Sequence, residues 1–168
     1  GVENAPDSEE AVAADIIRPK LYELYNWNAN AQVADLGNIK YGVTEKDTHF
    51  AVRMVVTSLL RQGVVPIIIG GEHKISYGQF AGHSRVQDMI NVVMFDQKID
   101  LFTTINEKTE SSFLYEMLTR QPHLSNYTHI GYQRYLVDPS MLDTLEKLHF
   151  ECVSLGNVRE TIKDVEPL

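Results

Sequence analysis

The chain has 168 residues, of which 43% are hydrophobic and 23% charged, and its formal net charge is −8. These values are typical of one soluble globular domain with a real core, and they exclude an extended disordered chain. The acidic balance and the scattered Lys and Arg residues argue against nucleic acid as a partner, since such binding needs a basic face. We also expect no contact with a membrane, because no apolar run approaches the ~20 residues of a span.

The single cysteine, Cys152, excludes an internal disulfide framework. Together with the absence of a signal-peptide pattern, it predicts a cytoplasmic protein. Cys152 lies in an apolar run, which predicts a buried and inert thiol.

Helix and strand patterns alternate along the chain. Helices are predicted over 7–24, 44–63, 73–82, 112–119 and 138–149, and strands over 33–36, 64–69, 90–95, 127–132 and 150–155. This alternation predicts a parallel sheet with helices on both of its faces. The first element is already a helix and the last residues precede an expected strand, so we expect the chain to be a piece of a larger domain.

Local signals fix several of these boundaries. Thr44 is a helix N-cap with Asp47 at the third position, close to a capping box. The apolar face of this helix is predicted to consist of Phe50, Val52, Val55, Val56, Leu59 and Leu60. Asp138-Pro139 opens a later helix with a capping carboxylate and a proline at the first helical position. Pro19 is expected to kink or divide the first helix.

The two central strand patterns, 64–69 and 90–95, are uninterrupted apolar runs, which are typical of parallel strands buried on both faces. Gly156-Asn157 is predicted as the turn after the last strand.

Both central strands end at possible metal ligands. Residues 67–73 read IIIGGEH and residues 92–100 read VVMFDQKID. Parallel strands bring their carboxyl ends to one edge of the sheet, so His73, Asp96 and Asp100 are expected to meet there. An imidazole and carboxylates suit Mn²⁺ or Zn²⁺, which lowers the pKa of a bound water and supplies hydroxide for hydrolysis. Lys98 lies between the two aspartates, where its ammonium repels a cation.

Other interpretations of these residues remain open. Aspartates at strand ends often cap turns, and a helix start after Gly70-Gly71 also suits an anion. The chain has neither a dinucleotide fingerprint nor a P-loop, so an anion-binding α/β domain is the weaker alternative. The other histidines lack the spacing of ligands and are predicted to be surface or half-buried residues: His49, His83, His123, His129 and His149.

Several segments together resemble the ureohydrolases, the family of arginase, agmatinase and formimidoylglutamase. Ile67–Tyr77 (IIIGGEHKISY) and Val92–Leu101 (VVMFDQKIDL) are similar to the family's segments G-G-x-H-s-i-s and f-D-A-H-x-D. Ile17–Leu24, Val33–Ile39 and His129–Tyr132 fall in the family's order. The resemblance covers most of the chain. It implies one arginase-like domain over 1–168, a three-layer α/β/α sandwich with a mostly parallel sheet, truncated at both ends.

The resemblance also implies a metal site. By position, His73, Asp96 and Asp100 are similar to the ligands of the family's first manganese, and Asp96 would bridge to a second. The family's histidine ligand for the second manganese aligns with Lys98, and Gln97 replaces an alanine. One manganese site at most is therefore expected.

Three further departures concern the rest of the site. The loop 103–107 lacks the histidine that family members place near the substrate, and Gln133 stands where they commonly have an arginine. The family's later Asp-x-Asp motif would follow Leu168.

Two functions follow from the resemblance. The first is manganese-dependent hydrolysis of a guanidino or formimino C–N bond in a small amidine substrate, by a protein that is expected to form homo-oligomers in its full-length form. The second is a catalytically silent binding or scaffold domain, in which the Lys98 ammonium replaces the metal cation beside the carboxylates.

Overall fold

The structure is a computed structural model, and it describes residues 1–3, 13–26, 30, 32–101, 113–120 and 122–163. The chain divides into two compact units, residues 1–86 and 87–168. The predicted helix start at Asp7 and the loop 103–107 lie outside the described residues. None of the helices in the described part has the length and apolar character that crossing a membrane requires.

Three helices form most of the first unit: α1 (Ala13–Tyr22), α2 (Glu45–Arg61) and α3 (Ile75–His83). Pro19 lies inside α1 and does not divide it. The capping box of α2 is confirmed, since the Asp47 N–H donates to Thr44 Oγ1 (3.3 Å) and the Thr44 N–H donates to Asp47 Oδ2 (2.8 Å). Gly63 follows α2 with a φ of +72°, which favours glycine at the end of a helix.

The core of the first unit lies where α2 faces α3. Its buried side chains are Val2, Val52, Val56 and Ile75. Phe50 and Val55, which the sequence assigned to the apolar face of α2, are 55% and 39% exposed. A Cβ atom on Gly82 would lie 2.6 Å from Val56 Cβ, so α3 lies against α2 at a distance that only glycine permits.

Two strand predictions in the first unit are wrong. Residues 64–69 form no strand in the structure, and Val65 and Ile67 are 81% and 77% exposed instead of buried. Residues 33–36 form no strand either, although Val2 and Ile39 form an isolated parallel bridge nearby. An apolar run becomes a strand only where a neighbouring segment pairs with its backbone, and sequence composition does not supply that partner.

The second unit contains the sheet. Its elements are β1 (Ile90–Phe95), α4 (Phe113–Arg120), β2 (Leu124–Tyr132), α5 (Pro139–Lys147), β3 (Glu151–Ser154) and α6 (Leu155–Lys163). The three strands are parallel and lie in the order β1-β2-β3, with Met94 opposite His129 and His129 opposite Cys152. The predicted cap of α5 is confirmed, because the Ser140 N–H donates to Asp138 Oδ1 (2.8 Å).

Three predictions in the second unit need correction. β1 is not buried on both faces, since Val93 and Phe95 are 57% and 76% exposed. Gly156-Asn157 lies within α6 rather than in a turn, because Ser154 Oγ accepts the Asn157 N–H (3.3 Å) and caps a helix there. Cys152 is half-buried rather than buried, and burial raises the pKa of its thiol to about 11, so the thiol stays protonated at neutral pH.

Candidate metal centre

The two carboxylates of the candidate site follow the carboxyl end of β1. The Asp96 N–H donates to the Ile130 carbonyl of β2 (3.2 Å), which continues the strand pairing by one residue. The Lys98 N–H donates to Asp96 Oδ1 (3.2 Å) and turns the chain. Ile99 is 2% exposed and anchors the turn in the interior. A carboxylate oxygen of Asp96 consequently lies within 4.8 Å of one of Asp100.

This pair of carboxylates fits one divalent cation. Hard cations bind carboxylate oxygens at about 2.0–2.6 Å, so two oxygens on opposite sides of one ion lie about 4–5 Å apart. Asp96 and Asp100 are both half-buried, and water therefore screens their mutual repulsion only in part. A cation between them would remove that repulsion.

A buried hydrogen-bonded chain lies behind Asp96. The His129 and Tyr127 residues are each 1% exposed, and they lie on the same face of β2. His129 Nε2 lies 3.0 Å from the backbone carbonyl oxygen of Asp96, and the Tyr127 hydroxyl lies 2.8 Å from His129 Nδ1. The prediction that His129 is a surface or half-buried residue is therefore wrong.

The Tyr127 hydroxyl keeps its proton over the working pH range. Burial raises the pKa of Tyr127 well above its ordinary value, and the nearby carboxylates of Asp100 and Asp96 act in the same direction. The hydroxyl is therefore a hydrogen-bond donor available to the imidazole of His129.

His73 lies in the first unit, in the turn that leads into α3. Gly70 and Gly71 both have a φ of +83°, a conformation that side chains other than glycine rarely adopt. The Ser76 N–H donates to the His73 carbonyl (3.1 Å), and the His73 residue is exposed. The turn thus holds the backbone of His73 by local hydrogen bonds and leaves the residue at the surface of the first unit.

An ion-pair network fixes this turn to α2. Lys74 Nζ lies 2.8 Å from Glu45 Oε2 and 2.8 Å from Glu72 Oε2, and the Lys74 side chain is only 17% exposed. Burial alone lowers the pKa of Lys74, but the hydrogen bonds and charges of the two carboxylates outweigh it and raise that pKa overall. The Lys74 ammonium is therefore charged, and its ion pair with Glu45 links the turn that carries His73 to the first turn of α2.

Gln97 and Lys98, which differ from the family's f-D-A-H-x-D segment, are both exposed. Gln97 contacts the end of β2, since the Gln133 N–H donates to the Gln97 carbonyl (2.9 Å). The two departures at Gln97 and Gln133 are thus neighbours in space, and their side-chain amides lie 3.4 Å apart (Nε2 to Oε1).

The roles of His129 and Lys74 were not predicted from the sequence, because His129 bonds to Asp96 and Lys74 bonds to Glu45, both far away along the chain. One signal was present for His129. Tyr127 and His129 are two residues apart in a strand, so they share a face and can form a hydrogen bond within one buried layer. Lys74 carried no comparable signal, since its partner Glu45 is 29 residues away.

A parallel sheet flanked by helices, with two carboxylates after the end of its first strand, defines the class of this protein as an α/β domain. The arginase family model matches residues 1–165. The chain belongs to the arginase family.

Individual relatives agree with this assignment. The chain is 22% identical over 154 residues to formimidoylglutamase from Lysinibacillus sphaericus, a match that covers 84% of this chain and 47% of the relative. It is 25% identical over 136 residues to formimidoylglutamase from Salmonella heidelberg, covering 78% and 44%. The chain therefore spans about half the length of the curated relatives that it matches.

Solved structures share the fold. Formimidoylglutamase from Bacillus subtilis superposes with a TM-score of 0.80 at 22% identity, covering 98% of this chain and 58% of that one. Trypanosoma cruzi formiminoglutamase with Mn²⁺ gives a TM-score of 0.72 at 15% identity, covering 91% and 55%. The predicted arginase-like α/β fold with a parallel sheet is confirmed.

Proposed function

We propose that this chain carries a manganese site of a formimidoylglutamase-type ureohydrolase, with His73, Asp96 and Asp100 as the ligands. The observation that carries the proposal is the approach of the Asp96 and Asp100 carboxylates within 4.8 Å at the end of β1. His73 joins them in this proposal because its G-G-x-H segment is similar to the family's ligand segment, and because strand ends share one edge of a parallel sheet.

The donor set suits manganese. One imidazole and two carboxylates form a borderline-hard set, and the chain's net charge of −8 favours a cationic ligand. When bound, the metal supplies a hydroxide near neutral pH and polarises the bond to be cleaved. Asp96 and Asp100 would hold the ion through their carboxylate oxygens, and the buried Tyr127–His129 pair excludes water behind Asp96.

The substrate in this proposal is a small amidine of the formiminoglutamate type. The named activity of the relatives supports this class over a guanidino substrate, since both curated relatives described above are formimidoylglutamases. A direct test measures release of formamide and glutamate from formiminoglutamate, and of urea from arginine and agmatine, with manganese present. Turnover of formiminoglutamate alone supports the proposal, and turnover of arginine alone would contradict the substrate class.

A specific observation favours a second function, a catalytically silent domain. Lys98 replaces the histidine that the family uses for its second metal. It is two positions along the sequence from each of the two aspartates, Asp96 and Asp100. In this alternative, Lys98 supplies the positive charge and no metal binds. Metal analysis of the purified protein separates the two: two equivalents of manganese support an enzyme, one supports a weakened hydrolase, and none supports the silent domain.

The proposal also covers the assembly and the partners of the protein. We expect the full-length protein to be a homo-oligomer in the cytoplasm, without nucleic-acid or membrane partners. Size-exclusion chromatography with light scattering tests the oligomer, and a monomer at micromolar concentration would contradict it.

A further inference from the structure

We infer that His129 is a positioning residue for Asp96: its neutral imidazole donates from Nε2–H to the Asp96 carbonyl and accepts the Tyr127 hydroxyl at Nδ1. The inference rests on the proposed function in one respect, namely that Asp96 is a metal ligand. His129 itself is not a spare ligand, because both of its ring nitrogens have hydrogen-bonding partners.

The partners assign the tautomer. A backbone carbonyl oxygen only accepts, so the nitrogen 3.0 Å from it, Nε2, must carry a hydrogen. Nδ1 then accepts from the Tyr127 hydroxyl at 2.8 Å. A doubly protonated ring would place a charge on a residue that is only 1% exposed, which costs far more than a neutral hydrogen-bonded ring.

The position of the Asp96 carbonyl explains why this bond matters. β1 ends at Phe95, so the carbonyl of Asp96 lies where the strand stops and the chain turns toward Lys98. His129 comes from the neighbouring strand, opposite Met94. Its imidazole therefore fixes the peptide plane that determines where the Asp96 carboxylate points, from a buried side that solvent does not reach.

Outer hydrogen bonds of this kind strengthen metal sites. Losing a group that orients a ligand typically lowers metal affinity by about 10–100-fold even though the ligand itself remains. A residue that is merely structural would lower the stability of the fold instead, and the affinity of the folded protein for metal would stay the same.

The first experiment needs no metal. Histidine ¹⁵N NMR of the metal-free protein should show His129 as the neutral tautomer with hydrogen on Nε2, and Tyr127→Phe should shift its Nδ1 resonance. A neutral tautomer with hydrogen on Nδ1, or a charged ring at pH 7, would overturn the inference.

The second experiment titrates Mn²⁺ into four proteins: the wild type, His129→Leu, His129→Gln and Leu145→Ala. His129→Leu should weaken binding by about 10–100-fold. His129→Gln should restore most of the affinity, because its side-chain amide can still donate to the Asp96 carbonyl. Leu145→Ala, which empties a fully buried site on α5, controls for lost stability and should leave the affinity unchanged.

The outcomes separate this inference from the proposed function. If the wild type binds no manganese, the proposed function fails, and amide exchange then decides the inference. His129→Leu should speed hydrogen exchange at the Asp96 and Gln133 amides by about tenfold beyond the effect of Leu145→Ala. Equal exchange in the two variants, or equal manganese affinity in His129→Leu and the wild type, would overturn the inference.

Discussion

The Lys74 ammonium lies 2.8 Å from a Glu45 carboxylate oxygen, and this ion pair ties the turn that carries His73 to the first turn of α2. Glu72 contributes a second carboxylate at the same distance. The lysine side chain is 17% exposed, so the pair is screened less than an ordinary surface pair.

Replacing this lysine tests the network. Lys74→Met should lower the free energy of unfolding by about 1–2 kcal/mol, between the values typical of surface pairs and buried pairs, because two half-buried carboxylates lose their counter-charge. Urea denaturation at pH 7 measures the change. The matched control is Lys20→Met, which removes the exposed pair of Lys20 with Glu23 and should change stability by less than about 0.5 kcal/mol. Equal effects of the two substitutions would show that the Lys74 network is ordinary surface pairing.

Two helical glycines should respond in opposite directions to alanine. At Gly82, a Cβ would lie 2.6 Å from Val56 Cβ, so Gly82→Ala should destabilise the fold by about 1–3 kcal/mol. At Gly156 the nearest side-chain atom is Ser154 Oγ at 3.8 Å. There the gain in helix propensity should stabilise the fold by about 0.5–1 kcal/mol.

Thermal denaturation of the two glycine variants gives the comparison. If Gly82→Ala were neutral or stabilising, α3 would lie farther from α2 than the structure places it. Gly156→Ala also tests α6, since the gain from alanine is largest where the backbone is helical. A loss of stability there would favour the turn that the sequence predicted.

Local capping signals were the part of the fold that could be predicted from sequence. The side chains of Thr44, Asp47 and Asp138 accept hydrogen bonds from backbone N–H groups within three residues, so the sequence contains both partners. The strand over 64–69 was wrong because strand formation depends on a neighbour that local sequence does not contain. The helix α6 was missed because Gly156-Asn157 resembles a turn, although Ser154 is a good N-cap.

The candidate site could be predicted only in part. Asp96 and Asp100 are four residues apart at a strand end, so their approach within 4.8 Å follows from the turn between them. The His129–Asp96 hydrogen bond joins residues 33 positions apart and depends on the strand register, which the sequence leaves open.

The cap of α5 predicts a dependence on pH. The hydrogen bonds from the Ser140 backbone and side chain hold the pKa of Asp138 below its usual value in the folded protein. Its contribution to stability is therefore present above the unfolded pKa of about 3.9 and is lost as the pH falls through the lower, folded pKa.

Asp138→Ala should accordingly lower the unfolding free energy at pH 7, and the difference from the wild type should narrow below about pH 4. Urea denaturation at pH 7, 5 and 3 follows this difference, and Asp138→Asn serves as the control because an amide still caps the helix. A difference that stays constant down to pH 3 would show that the charge of Asp138 has no part in the effect.

Lys98 should oppose metal binding if manganese occupies the Asp96–Asp100 pair. Lys98→Gln removes one positive charge two residues from each ligand and should tighten Mn²⁺ binding by about tenfold at low salt. Lys98→His removes the same charge and adds an imidazole, so it should tighten binding further or add a second equivalent. Calorimetric titration of both variants measures this effect. Unchanged affinity in both would mean that the Lys98 ammonium stays away from the ion.

The proposed function requires a single ion held by the Asp96 and Asp100 carboxylates at the end of β1. The most direct measurement is a Mn²⁺ titration followed by electron paramagnetic resonance, which counts free and bound metal. We predict one bound equivalent in the wild type, and about 100-fold weaker binding in Asp100→Asn, because a carboxylate ligand becomes an amide. Asp143→Asn, an exposed aspartate on α5, should bind like the wild type. No bound manganese in the wild type, or equal binding in the Asp100 and Asp143 variants, would contradict the account.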